Sequence, residues 1–153
     1  MKQLLFTFIL AMTYTVGFTQ STAEDDNENG TSLAPILIDM TPFIEGLEEE
    51  GIEIVRMEID ILMNTKTTTR TLHQGWSYGI AAIGDYRFKD LDLKIYRKIE
   101  GNWIMVGEDI DEDKEAMVII EPEETEEYMI EIISAETAEG YSGGHYGLLI
   151  FHE

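Results

Sequence analysis

From Ile52 onward the chain keeps a two-residue rhythm. In "DLDLKIY", Leu91, Leu93 and Ile95 stand against Asp92, Lys94 and Tyr96. In "WSYGIAAIG", Trp76, Tyr78, Ile80 and Ala82 stand against Ser77, Gly79 and Ala81, and in "YMIEIIS" the residues Tyr128, Ile130 and Ile132 share one parity. Successive side chains of a strand point to opposite faces, so each such segment makes a strand with one apolar side. "IEIVRMEIDILM" sets Met57, Ile59, Ile61 and Met63 against Arg56, Glu58, Asp60 and Leu62. Ile52 and Ile54 have the opposite parity, and a bulge near Val55 brings them onto the same face. Turn residues punctuate the rhythm at "HQG", "GD", "EGN", "EDIDEDKE", "EETEE" and "AETAEGYSGG". Seven or eight short strands separated in this way predict an all-β, antiparallel sandwich or barrel with one wet side to each sheet.

The N-terminal third lacks this rhythm. Lys2 followed by the apolar run Leu4–Phe18 reads as a signal peptide over residues 1–19, with cleavage before Gln20 or after Ala23. "STAEDDNENGTS" then reads as part of a disordered acidic linker over 20–34, leaving 35–153 as the folded domain and a secreted or periplasmic destination. "TPFIEGL" allows Thr41 and Pro42 to cap and open a short helix with Phe43, Ile44 and Leu47 on one side; a turn between strands is the alternative.

Charge narrows the function. With 10 basic and 31 acidic residues the net charge is −21. Such a surface repels phosphate backbones and anionic lipid, which argues against nucleic acid and against membrane insertion of the mature chain. It suits divalent cations. No Cys is present, which removes disulfides, thiolate zinc ligands and thiol nucleophiles.

The stretches "LHQGWSYGIAAIGD", "DLDLKIY", "AMVIIEPEETEEYMIEIIS" and "GGHYGLLI" resemble the bacterial pre-peptidase C-terminal domain. The shared outline is a Gly before an aromatic strand, a Gly-Asp turn, an Asp-Leu-Asp-Leu strand, a Pro-turn-Tyr strand and a final Gly-x-Tyr-x-Leu strand. It covers about residues 72–151, and its motifs are turn and core positions, which specify fold better than function. The resemblance implies a jelly-roll-like β-sandwich that assists binding or secretion beside a protease, with calcium held by acidic side chains in some members. Residues 1–71 hold no protease domain, so a catalytic neighbour would be a separate chain.

Candidate sites follow from residue type. Asp85, Asp90 and Asp92 can supply part of the six to eight oxygens calcium requires, although each also has a structural use, Asp85 and Asp90 as caps of backbone N–H groups. Asp109, Asp111 and Asp113 in "DIDED" imitate the start of an EF-hand loop. Lys114 then stands where that loop needs Gly, and Ile120 where it needs Glu. "GYSGG" matches a nucleophile-elbow pattern around Ser142, but that motif sits between a strand and a helix, and here a strand follows. His145 and His152 are seven apart in a strand and so face opposite ways. Tyr96 and Trp103, on neighbouring strands beyond a short turn, form a candidate surface for a protein or carbohydrate ligand. The expected function is an exported, non-enzymatic binding or accessory module stiffened by calcium. The alternatives are a secreted hydrolase using acidic residues, and a structural or adhesive subunit.

Overall fold

The alternating segments are strands. In the computed structural model, which describes residues 32–153, a helix α1 (Ala34–Glu49) precedes β1 (Glu53–Leu62), β2 (Thr65–Leu72), β3 (Tyr78–Gly84), β4 (Phe88–Ile99), β5 (Asn102–Asp109), β6 (Glu115–Ile120), β7 (Glu126–Thr137) and β8 (Gly144–His152). They form two four-stranded antiparallel sheets ordered β1-β8-β3-β6 and β2-β7-β4-β5. This is the strand order of an eight-stranded jelly roll, so the expected fold class holds. The signal-peptide segment and all but the last residues of the linker lie outside the described residues.

Between the sheets lies a core of Tyr78, Ile80, Ala82, Tyr146, Leu148 and Ile150 against Leu91, Leu93, Ile95, Tyr128, Ile130 and Ile132. Each of the three parities read from β3, β4 and β7 therefore faces inward. At the β1–β2 edge the interior turns polar: Glu58 accepts from Arg70 (2.6 Å), and Asp60 pairs with Lys66. These pairs bridge the two sheets, with Leu62 and Leu72 of the same two strands buried in the core. The β4–β5 turn is a two-residue hairpin in which Glu100 (φ 50°) and Gly101 (φ 84°) both take positive φ, as a primed turn requires.

Two expectations change. The helix does not open at Thr41–Pro42. It starts seven residues earlier, at Ala34, with Pro35 in the first turn, and Pro42 sits inside it on the exposed side. A mid-helix proline removes one hydrogen bond, but burial of Ile36, Met40 and Leu47 against the sheet outweighs that loss. The second change concerns the wet side of β1-β8-β3-β6. α1 covers it, packing Ile36, Met40 and Leu47 on Ala81, Ile83, Leu149 and Phe151. That second core explains why β3 and β8 are buried at nearly every position. Small residues let the helix and large side chains approach: a Cβ on Gly147 would lie 2.2 Å from Met40 Sδ, and one on Gly79 would lie 2.1 Å from Phe151 Cε2. The bulge foreseen near Val55 is present between Ile54 and Arg56, and Ile52, Ile54 and Ile59 pack toward the helix. The rest of that row, Met57, Ile61 and Met63, stays exposed.

Candidate functional site: the open face of the second sheet

Among the described residues no helix lies over the outer face of β2-β7-β4-β5. Because Leu93, Ile95, Ile130 and Ile132 point inward, their neighbours point out, and the register lays these in rows across the sheet. One row reads Thr67, Glu131, Lys94 and Glu108. The next reads Thr69, Met129, Tyr96 and Met105. The third reads Thr71, Glu127, Lys98 and Trp103. The middle row is apolar and aromatic, and charged or hydroxyl side chains flank it.

Specific contacts fix this face. Tyr96 Oη donates to Glu131 (2.7 Å), and this bond, with a smaller effect of burial, raises the phenol above its ordinary pKa. Lys98 donates to Glu127 (2.5 Å), and its ammonium lies 5.4 Å from the centroid of the Trp103 ring. Met105 is 48% exposed, while Tyr96, Trp103 and Met129 are half-buried. Tyr96 pairs directly with Met105 and Lys98 with Trp103, so Tyr96 and Trp103 are diagonal neighbours on one face. The two aromatics read from the sequence are thus brought together. The sequence reading missed Met105, Met129, Thr67, Thr69 and Thr71, which join them only through the pairings of β5, β7 and β2.

The acidic residues are distributed otherwise. Asp85 is fully buried at the end of β3. Its Oδ1 accepts the Arg87 N–H and Nε–H (both 3.0 Å), its Oδ2 accepts the His145 N–H (3.1 Å), and the Arg87 guanidinium also reaches His145 Nδ1. Burial pushes this carboxyl up, but the bonds from Arg87 and His145 outweigh it and hold the group below the ordinary range. Asp109 accepts the N–H groups of Asp111 (3.2 Å) and Met117 (2.8 Å), and Asp113 accepts that of Glu115 (2.7 Å). Asp90 is pushed up by burial, then by the charges of Asp92, Glu112, Glu136 and Asp113, and its Oδ1 is buried without a hydrogen-bond partner. Asp92 lies half-buried on the open face opposite Ile133. Asp85, Asp90, Asp92, Asp109, Asp111 and Asp113 are not drawn into one ligand shell: among the described residues no three His, Cys, Asp or Glu side chains are placed to hold a metal ion. Asp85 and Asp109 instead use their oxygens on backbone N–H groups, the structural use the sequence allowed for Asp85. Ser142 lines a cleft of about 160 Å³ with Ile61, Met63, Arg87, Gly143 and Gly144, in the loop before β8.

No family model matches the chain, and no curated protein matches it. Solved structures do. The chain is similar to β-sandwich domains. One is the pre-peptidase C-terminal domain of a collagenase from Bacillus anthracis, at 10% identity over 62% of this chain and 87% of that one, with a TM-score of 0.48. Another is the mitogen of Yersinia pseudotuberculosis, at 14% identity over 65% and 85%, TM-score 0.47. A third is the Aeromonas hydrophila protein PliG, a periplasmic inhibitor of g-type lysozyme, at 11% identity over 68% and 90%, TM-score 0.44. At this level the likeness is one of architecture. Among the described residues no helix is long and apolar enough to cross a membrane.

Proposed function

We propose that this protein is an exported, non-enzymatic accessory module that binds a partner protein through the open face of the β2-β7-β4-β5 sheet. The observation that carries the reading is the row Thr69, Met129, Tyr96 and Met105, an apolar centre with Trp103 beside it and charged pairs around it. Aromatic and methionine side chains at the middle with a polar rim are the composition of protein interfaces, where a few such residues carry most of the affinity. The methionines and the lysine over Trp103 favour a protein over a sugar, which stacks on bare rings. A net charge of −21 steers a basic partner toward the molecule. Export is supported by the residue 1–19 pattern. The buried ionisable groups Asp85, Arg87 and His145 bond to one another, an arrangement suited to holding a turn rather than moving a proton.

The test is capture of a partner from the extracytoplasmic fraction of the native host on immobilised protein, followed by titration. Tyr96→Ala and Trp103→Ala should each weaken binding by roughly tenfold or more, the size of an interface hot spot. Undiminished binding by both variants overturns the reading. Retention on polysaccharide gels that is lost in the same variants would replace the protein partner by a carbohydrate.

A further inference from the structure

A second apolar surface lies on the other sheet, at its β1 edge. Met57, Ile61 and Met63 of β1 and the residue after it are 54%, 59% and 59% exposed, and Val55 is 46% exposed. They share the sheet face that α1 covers farther in. Asp39 on one flank of α1 holds Lys114 beside β6 (2.9 Å). By the helical repeat, Leu33 and Leu37 lie on the opposite flank, toward β1, and they are 48% and 49% exposed. The helix flank and the edge strand therefore border one apolar strip on a strongly acidic protein.

Edge strands offer unpaired backbone groups, and proteins blunt them with lysines, prolines or bulges. β1 has its bulge at Ile54–Arg56, and beyond it the strand to Leu62 is regular, without Lys or Pro. Its acids are already engaged: Glu58 bonds Arg56 and Arg70, and Asp60 bonds Lys66 and accepts the Ile61 N–H (2.8 Å), a bond that pairing would exchange for one to the second copy. The carboxyl of Glu58 is pushed up by burial, but the two arginines outweigh this and hold it below its ordinary range. This is a place where two highly anionic chains can meet without opposing bare charges.

We infer that β1 pairs antiparallel with β1 of a second copy, about a two-fold axis through Ile59. The strand sequence is self-complementary in that register. Met57 falls opposite Ile61 of the second copy, and Ile61 opposite Met57, so these exposed apolar side chains cover one another within the regular part of the strand. On the other face Glu58 meets Asp60 of the second copy, each already holding a base. The symmetric pairing joins two four-stranded sheets into one of eight, a closed association of the commonest kind.

Sedimentation of the protein over a wide concentration range should show a monomer passing to a dimer, and added salt should strengthen the dimer by screening the net charge of −21. Met57→Lys and Ile61→Lys, at exposed positions, should weaken dimerisation by roughly tenfold or more, a loss of about 1.4 kcal/mol, with circular dichroism unchanged. The chain has no Cys, so Ile59→Cys should yield a disulfide-linked dimer on mild oxidation, and Ile104→Cys on the other sheet should not. A monomer at the highest attainable concentration overturns the inference. So does a dimer indifferent to both lysines and not linked through position 59. Partner binding at Tyr96 and Trp103 is a separate measurement, and neither result decides the other.

Discussion

Ala81, Ile83, Leu149 and Phe151 on the outer face of the β1-β8-β3-β6 sheet lie under α1, while Thr69, Met129, Tyr96 and Met105 on the outer face of β2-β7-β4-β5 meet solvent. The strands differ accordingly. β3 and β8 are apolar on both sides and thinned by Gly79, Ala81 and Gly147 where the helix and Phe151 press in. β2 and β7 alternate Thr, Glu and Met with their inward residues. A face that buries a helix is committed to stability. A face that keeps an aromatic row half-exposed can be changed with little effect on the fold, and this is where a binding function can reside.

The contrast can be broken by substitution. The largest effect belongs to the turn that closes the helix-backed side. Asp85→Ala removes the carboxylate that Arg87 and the His145 N–H both bond, and breaking a buried ion pair from one side destabilises by about 3–5 kcal/mol, read by chemical denaturation. Met40→Ala should destabilise by about 2–5 kcal/mol, since it opens a cavity under the helix. Met129→Ala, on the open face, should change stability by less than about 1 kcal/mol. Similar losses at Met40 and Met129 would erase the distinction between the two faces.

Acid sharpens the same picture. Asp85 titrates lower in the folded chain than in the unfolded one. Its contribution is therefore present above the ordinary carboxylate value of about 4 and is lost as pH falls through its depressed folded value. Asp90 has the opposite shift, so its charged form opposes folding at neutral pH. Asp90→Asn should raise the melting temperature at neutral pH, and the gain should shrink as pH falls through the raised folded value and vanish below about 4, where the native carboxyl becomes protonated in both states. A gain that is independent of pH would show that neither burial of the charge nor repulsion from Asp92, Glu112, Glu136 and Asp113 is its source. The smallest effect is expected from calcium. With Asp85 and Asp109 accepting backbone N–H groups, saturating calcium and chelator should give nearly the same melting temperature. A rise of several degrees with calcium would restore the ion-binding role of the acidic loops.

The alternation in "DLDLKIY", "YMIEIIS" and "GIAAIG" was enough to place the interior of the sandwich, because a half-buried strand writes its burial directly into parity. The helix was only half legible. Pro42 looks like a helix start, and nothing local reveals that Ile36 and Met40 are worth more buried on β8 than a continuous hydrogen-bond ladder. "HYGLLIFH" carried apolar residues of both parities, which was the trace of a second covered face. Tyr96 and Trp103 were legible as neighbours through the short "EGN" turn. Met129 and the threonines of β2 were not, because they arrive beside Tyr96 by pairings some thirty residues away in the chain, and register of that kind is set by the whole sandwich.

The measurement that bears most directly on the two faces is a paired one: partner affinity and melting temperature of wild type against Tyr96→Ala and Trp103→Ala, on the same preparations. The account predicts affinity lower by roughly tenfold or more with the melting temperature nearly unchanged. Unchanged affinity in both variants, or a loss of affinity that merely follows unfolding, would contradict it.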